Sequence, residues 1–552
     1  MIRTDYRQVE QAWCAPARGL ASEMPTPGIA VSSCHIASLD FASSRTAIDR
    51  EGAQATMNAQ QILSGLGWSA LATVVSAVCQ LAFMATLSRL LDPAAFGLMA
   101  MAGIALRFAG FFSQLGFAQA LIQRVRLTDE DTTAALLMAT LVGCALYLAM
   151  VLGAPLFADG FRSPELGHLI DVLALSLILS TLGGLPLALL RRQARFKRVN
   201  AIEVGSYVIG YGAVGIACAA LKFGVWSLVA ATLSQQTMVL ALGFLSVRYP
   251  LAWPVPRSAY AQLWQYGSRY SLVGFLEFLS ANVETLFIGR TFGKTELGLF
   301  NRATMLTNLP VELGVGAVNK VLFPALSGMQ HDRHRLADGF QMLLLSIGLF
   351  SSALACGIAA AAPDVVALLL GAKWLTIAPI VAIVALAVPP MFMFVACGVT
   401  LDSLGALSAK LRLQTLILAL KVSLVLWLSR WDLAGIAWAT LIAEVVRLAL
   451  GLRLVQRQLA IVHRQLHWPL LSLAGTGLAV WTAVGAACAF TTAMHCPLPL
   501  RVLLETLCGA AALAGMLALI VRRSLDYAPL QRFEVVSRWH GRLMATVFPR
   551  AT

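Results

Sequence analysis

Apolar residues run along this chain in blocks of about twenty, separated by short polar gaps. The blocks are centred on 62–88, 98–121, 133–157, 167–190, 199–221, 224–247, 271–289, 297–320, 340–362, 377–400, 411–429, 433–452, 468–491 and 499–521. Each is long enough as a helix to cross roughly 30 Å of hydrocarbon. The pattern therefore predicts an all-α integral membrane protein with about fourteen transmembrane helices. Gaps this short leave no room for a soluble catalytic domain. The longest, 248–270, holds three prolines with Trp253, Tyr260, Trp264 and Tyr266, which suits an interfacial linker between two halves.

The predicted organisation is a cytoplasmic, disordered tail (1–60), an N-lobe of helices 1–6 (61–247), the linker (248–270), a C-lobe of helices 7–12 (271–456), helices 13–14 (457–523) and a cytoplasmic tail (524–552). Met57 reads as a natural start just before the first span. Composition agrees with the pattern. The 552 residues are 59% hydrophobic and 12% charged, with mean hydropathy +0.76, about half the charge of a soluble domain. The net charge of +14 is spread over the gaps, which favours membrane topology over nucleic-acid binding. Alternate gaps differ sharply. One holds Arg191, Arg192, Arg195, Lys197 and Arg198 and another Arg453, Arg457 and Arg464, whereas those between them hold Arg89, Arg162, Lys222, Lys373, Arg430 or Arg501. The positive-inside rule then places both termini in the cytoplasm. The ten cysteines are scattered without a C-x-x-C. They read as small packing residues, and no metal or cofactor is expected.

The stretch GRTFGKT, Gly289 to Thr295, is one residue short of a Walker A loop, which needs four residues between its glycines. It joins two apolar spans rather than a strand and a helix, so it is not a nucleotide site. It has an echo. SRLLDPAAFGL (Ser88–Leu98) and GRTFGKTELGL (Gly289–Leu299) share an Arg at the end of one span, a Gly eight residues later that opens the next span, and a Leu after it. The offset is 201 residues at each position: Arg89 to Arg290, Gly97 to Gly298, Leu98 to Leu299. Six spans separate the two turns, so the halves would be parallel repeats about an axis normal to the membrane, a transporter architecture with its site between the lobes.

Several ionisable residues fall inside predicted spans, where each costs at least ~2.5 kcal/mol without a partner or a wet cavity. Arg107, Arg302 and Lys421 would form a cationic cavity if they faced one space, suited to phosphate because Arg binds its oxygens bidentately. Snorkelling to the interface is the alternative for Arg302. Glu277 and Glu284 stand two turns apart on one helix with Asn282 nearby, and either would serve a coupling proton or Na⁺. Glu312, Asp171 and Glu203 are weaker candidates. Glu444 and Arg447, at i and i+3, would neutralise each other. Gln114 and Asn282 could meet sugar hydroxyls. His331, Asp332 and His334 sit in a short loop and read as a solvated turn.

Two stretches carry a family resemblance. Arg89-Leu90-Leu91-Asp92-Pro93-Ala94-Ala95-Phe96-Gly97 and Gly116 through Gln123-Arg124 lie in the first. Glu284 through Ile288-Gly289-Arg290, then Gly293, Leu297-Gly298, Asn301-Arg302-Ala303 and Phe323–Ser327, make the second, with Glu284 for the usual Asp and Phe300 for the usual Tyr. Both resemble Wzx-type oligosaccharide flippases, particularly the exopolysaccharide branch, within the superfamily of the MATE drug exporters and the lipid II flippase. The resemblance thins toward the C-terminus. It implies two six-helix lobes plus two C-terminal helices, and alternating access. It also implies transport of undecaprenyl-pyrophosphate-linked oligosaccharide across a bacterial inner membrane, with a polysaccharide polymerase and a chain-length regulator as possible partners. Two other readings compete: a cation-coupled small-molecule exporter on the same fold, and a membrane enzyme such as a polymerase or glycosyltransferase. The second lacks a large outer loop or a carboxylate-rich catalytic domain.

Overall fold

The computed structural model describes residues 72–113, 121, 128–247, 249, 271–327, 333–461 and 463–524. Within them lie fourteen long helices and no strand: α1 (Ala72–Leu90), α2 (Pro93–Ser113), α3 (Asp129–Phe161), α4 (Glu165–Arg192), α5 (Phe196–Ala220), α6 (Trp226–Ser246), α7 (Ser271–Thr291), α8 (Gly293–Ser327), α9 (Arg333–Ala360), α10 (Ala378–Ser403), α11 (Leu407–Leu428), α12 (Asp432–Leu459), α13 (His463–Ala493) and α14 (Leu498–Ser524). Among the described residues eleven stretches are long and apolar enough to cross a membrane, and one of them, Ser408–Leu459, runs through α11 and α12. The remaining two helices, α7 and α8, carry Glu277, Glu284, Arg290, Lys294, Glu296, Arg302 and Glu312. The protein is a multi-pass membrane protein. The expected terminal tails, Gln114 and almost all of the 248–270 linker lie outside the described residues.

Helix boundaries follow local chemistry more than hydropathy. α2 begins at Pro93, five residues before its apolar block, because a proline at the first helical position has φ already set and no N–H to satisfy. α3 opens with a capping box: Thr128 Oγ1 accepts from the Asp131 N–H while the Asp131 carboxylate accepts from the Thr128 N–H. The segment between α9 and α10 is not a plain loop. It forms a short helix, Ala362–Leu369, and a 3₁₀ turn, Ala372–Ile377, which sends Trp374 into full burial. In α5 the glycine-rich run Val208–Gly215 widens into a π-helix. There Gly210 lies so close to α6 that a Cβ would crowd the Ala231 carbonyl and the Gln235 backbone.

The main apolar core joins the α1–α2 region to α7, α8, α10 and the α9–α10 segment, through Phe96, Met101, Leu297, Leu306, Trp374 and Val381. A second cluster, from α9 to α13, holds Phe340, Phe394, Ile417 and Leu473. The outward faces of α3, α13 and α14 keep Leu141, Leu152, Leu156, Leu471, Leu478, Leu503 and Leu507 exposed, as lipid-facing helices require.

Candidate functional site

The two repeat turns meet. A Cβ on Gly97 would overlap the carbonyl oxygen of Lys294, and a Cβ on Gly298 would overlap the carbonyl oxygen of Pro93. Residues 93 and 294 are themselves 201 apart, so the crossing of α2 with α8 is reciprocal: each glycine receives the other helix's backbone one turn before its own partner. Only glycine leaves room for that approach.

The arginines of the turns repeat the symmetry. Arg89, at the end of α1, donates to the Leu368 carbonyl in the α9–α10 segment, and Arg290, at the end of α7, donates to the Gly160 carbonyl at the end of α3. Further contacts tighten each arm. Lys373 Nζ donates to the Leu91 carbonyl at 2.7 Å and the Trp374 indole to the Ser88 carbonyl at 2.9 Å. Lys294 Nζ pairs with Glu165 at 2.7 Å. Each half thus grips the other at one end of the bundle. Gly293, with φ +87°, makes the sharp α7–α8 turn that an L side chain would resist. GRTFGKT is a clasp.

On the far side of the α2–α8 crossing lies a cavity of about 600 Å³ bounded by α7, α8, α10, α11 and α12. Its deepest polar contact is the pair Lys421–Glu284. The Lys421 ammonium lies 2.8 Å from Glu284 Oε1 and donates to the Ser280 carbonyl at 2.9 Å, while the Thr440 hydroxyl donates to the same Oε1 at 2.8 Å. The two residues are 4% and 6% exposed, so both charges are met inside the protein. Toward the α10–α11 turn, Lys410 donates to both Asp402 oxygens at 3.0 Å and stands 3.5 Å from Glu277. Arg447 pairs with Glu444 at 3.3 Å and lies 4.1 Å over the Phe394 ring. Glu312 is an exposed carboxylate on the same wall. Among the described residues, five carboxylates and three cations line this space.

The sequence candidates are distributed as follows. Lys421, Glu277 and Glu284 line the cavity together. Arg107 does not. It is exposed, lies back over Gly103, and donates to Asn282 Oδ1 at 3.1 Å, joining α2 to α7. Asn282 is buried and donates in turn to the Phe278 carbonyl at 2.7 Å. Arg302 lies 3.8 Å over Phe96, the aromatic residue of the opposite repeat turn, with Nη1 3.4 Å from Met305 Sδ and a buried Nε that has no hydrogen-bond partner. At ~1.5 Å per residue, Arg302 sits ~6 Å and Arg107 ~15 Å past the crossing glycines. Neither has a carboxylate partner among the described residues. The expectation of three cations in one cavity thus divides: two guanidinium groups stand unneutralised near the junction of the halves, and the ammonium is neutralised in the C-terminal wall. Thr440, Lys410 and Asp402 carry no such signal in the sequence: Thr440 is uncharged, and Asp402 and Lys410 fall in the short gap between the blocks 377–400 and 411–429. Glu203 makes a surface pair with Arg191 at 2.7 Å.

The profile of the polysaccharide biosynthesis protein family matches residues 86–379, more than half of the chain. The chain belongs to that family. In this polysaccharide biosynthesis family member the matched region takes in both repeat turns, Arg107, Glu284 and Arg302, while α11 and α12 with Lys421, Thr440 and Glu444 lie beyond it. The lipopolysaccharide biosynthesis protein WzxC of Escherichia coli (strain K12) is 24% identical over 322 residues, 58% of this chain and 65% of its own length. The succinoglycan biosynthesis transport protein ExoT of Rhizobium meliloti (strain 1021) is 28% identical over 343 residues, 60% of this chain and 67% of its own. The chain thus matches just under two thirds of WzxC. Among solved structures, the lipid II flippase MurJ in an inward closed conformation superposes with TM-score 0.65 at 13% identity, covering 83% of this chain and 99% of that one. An inward-facing MATE multidrug resistance transporter gives 0.54 at 17% identity, covering 71% and 98%. These likenesses establish the fold: two parallel six-helix lobes of the MATE type with two further helices.

Proposed function

We propose that this protein is a flippase for polyprenyl-pyrophosphate-linked oligosaccharide repeat units, working by alternating access in a bacterial inner membrane with both termini cytoplasmic. The observation that carries the reading is the pair of unneutralised guanidinium groups, Arg107 and Arg302, beside the crossing of the two halves. A buried or membrane-embedded cation without a counter-ion is costly, and a pyrophosphate would supply the counter-ion. Arg offers the planar donor fork that phosphate oxygens match. Asn282 holds the Arg107 guanidinium toward α7, and cavity groups such as Asn301, Asn308 and Gln414 are of the kind that meets sugar hydroxyls. The clasp of Arg89 and Arg290 would close the outer end, leaving entry from the cytoplasm. Membrane lipids contact the exposed leucine faces, and the polymerase and chain-length regulator would take over the unit after release. No chemical step on the substrate is needed, so no enzymatic role is proposed.

Coupling to a cation gradient belongs to the same proposal, with Glu277 a better candidate than Glu284. The Lys421 ammonium already occupies the position a cation would take at Glu284. Glu277 is half-buried and its contact with Lys410 is longer. One observation favours a second reading, a cation-coupled small-molecule exporter: the C-terminal cavity carries five carboxylates against three cations, a lining that suits a cationic solute.

The test is export in a strain deleted for this protein and for any other flippase of the same unit. Complementation with the wild type should restore surface polysaccharide, and Arg107→Ala should lower export by about tenfold or more with lipid-linked units accumulating on the cytoplasmic face. Arg107→Lys, which keeps charge but loses the fork, should recover only part. Surface polysaccharide that persists in the deletion strain sinks the flippase reading, and unchanged export by Arg107→Ala removes Arg107 from the site.

A further inference from the structure

Away from the cavity, three side chains from three segments converge where the C-terminal helix pair meets the rest of the bundle. Asp364 comes from the short helix Ala362–Leu369, Cys488 from α13 and Glu505 from α14. One donor atom of each lies within 4.8 Å of the others. Asp364 and Glu505 are 7% and 2% exposed. All three lie near the end of the bundle that holds the α1–α2 clasp, since each is close to a turn that follows an odd-numbered helix.

Two observations set this cluster apart from a chance meeting of acids. First, both carboxylate oxygens of Glu505 are buried without a hydrogen-bond partner. Glu505 otherwise borders an apolar pocket lined by Gly357, Ile358, Val365, Val480 and Val484, while Leu503 and Leu507 on the same helix face outward. A carboxylate in that position needs a cation on it, be it a proton or a metal. Second, the groups around it are already sorted into inner and outer donors. Asp364 Oδ1 accepts from Arg501 Nη1 at 3.2 Å, and its other oxygen, Oδ2, takes the Cys488 thiol at 3.6 Å. Arg501 is fixed in turn by donation from Nε to the Cys496 carbonyl at 3.1 Å. Metal-binding carboxylates are commonly held by such an outer partner.

We infer that Asp364, Cys488 and Glu505 form a binding site for a divalent cation of the zinc class. One thiolate with two carboxylates suits a borderline-soft ion that accepts S and O ligands. Metal distances of about 2.0–2.2 Å to oxygen and 2.3 Å to sulfur put tetrahedral S and O donors roughly 3.6 Å apart, which is the Cys488–Asp364 spacing. A modest turn of the Glu505 side chain completes three ligands, leaving the fourth position to water. Charge closes as well. Three anionic donors and a divalent ion leave one negative charge, which the Arg501 guanidinium balances. Binding is an exchange: the ion takes the thiolate, and the proton of the Cys488 thiol, with any proton on the carboxylates, passes to water. The site would pin α13 and α14 to the C-terminal half. No spacing motif announces it, because Asp364 lies more than a hundred residues before the other two ligands and Cys488 and Glu505 stand on different helices.

The experiment uses the purified full-length protein, stripped with chelator and titrated with Co²⁺. The expected result is a saturable thiolate-to-cobalt charge-transfer band in the near ultraviolet at one ion per chain, displaced by Zn²⁺ with release of protons. Cys488→Ser should abolish the band, and Glu505→Gln should weaken binding by about tenfold or more. Cys496→Ser and Cys508→Ser should leave it intact. Absence of a saturable band from the wild-type protein overturns the proposal, as does a band that survives Cys488→Ser. The wild-type titration needs no variant to fold. Either overturning result leaves a proton on Glu505 as the cation.

Discussion

The two halves of this protein agree at the turn and disagree at the wall. At the turn, Gly97 and Gly298 receive each other's helices, and Arg89 and Arg290 each reach across to a carbonyl of the opposite half. At the wall, the same 201-residue offset sets Glu277 against Ser76 and Glu284 against Phe83. The C-terminal half has a charged cavity there, whereas the corresponding face of the N-terminal half offers Thr73, Ser76, Gln80, Asn200, Tyr207 and Gln235 around a smaller pocket that includes the carboxylate of Glu203. Symmetry is kept where two copies of one backbone must cross. It is lost where side chains face solvent or cargo. A duplicated fold can therefore tolerate divergence of its lining only because its crossing is built from backbone and glycine.

Substitutions at three places bear on this contrast. The largest effect is expected at the crossing. Gly97→Val and Gly298→Val each drive a branched side chain into a backbone carbonyl, and because backbone cannot rotate away, each should cost about 3 kcal/mol or more. The two should be equally severe, read as lost yield and lowered melting temperature in detergent; a tolerated substitution at one glycine only would break the symmetry. Next comes the wall. Lys421→Met leaves Glu284 buried with an uncompensated charge and should cost about 3–5 kcal/mol, while the double variant Lys421→Met/Glu284→Gln should regain much of that loss. Thermal melting of the single and double variants gives the coupling, and an additive double variant would show that the pair is not a unit. The smallest effect is expected at the rim of the clasp. Lys294 and Glu165 are partly exposed, so Lys294→Ala should lower stability by no more than about 1 kcal/mol.

Much of the fold was legible in the sequence, since hydropathy alone marks every long helix and the repeated Arg…Gly-Leu spacing marks the crossing. Helix ends were less so. Pro93 starts α2 ahead of its apolar block, and the α9–α10 segment folds into a helix and a 3₁₀ turn that no periodicity announced. The site was legible only in part. Membrane-buried charges such as Lys421 and Glu284 stand out against apolar neighbours, so they could be named. Which charge meets which could not, because pairing depends on how α7, α11 and α12 rotate about their axes. Hence the sequence groups Lys421 with Arg107 and Arg302, although its ammonium is held by Glu284. Thr440 and Asp364 gave no signal at all, as each acquires meaning only from residues more than a hundred positions away.

The pairing of Lys421 with Glu284, and of Arg447 with Glu444, also has an electrical meaning. Moving one elementary charge through a membrane potential takes about 2.3 kcal/mol per 100 mV. A neutral pair moves as a small dipole and escapes nearly all of that work, so the C-terminal wall can shift its deepest charged groups without feeling the field. Arg107 and Arg302 have no such counter-ion among the described residues. Any rearrangement that displaces them would be voltage-dependent in the unloaded protein, and less so once a bound anion travels with them.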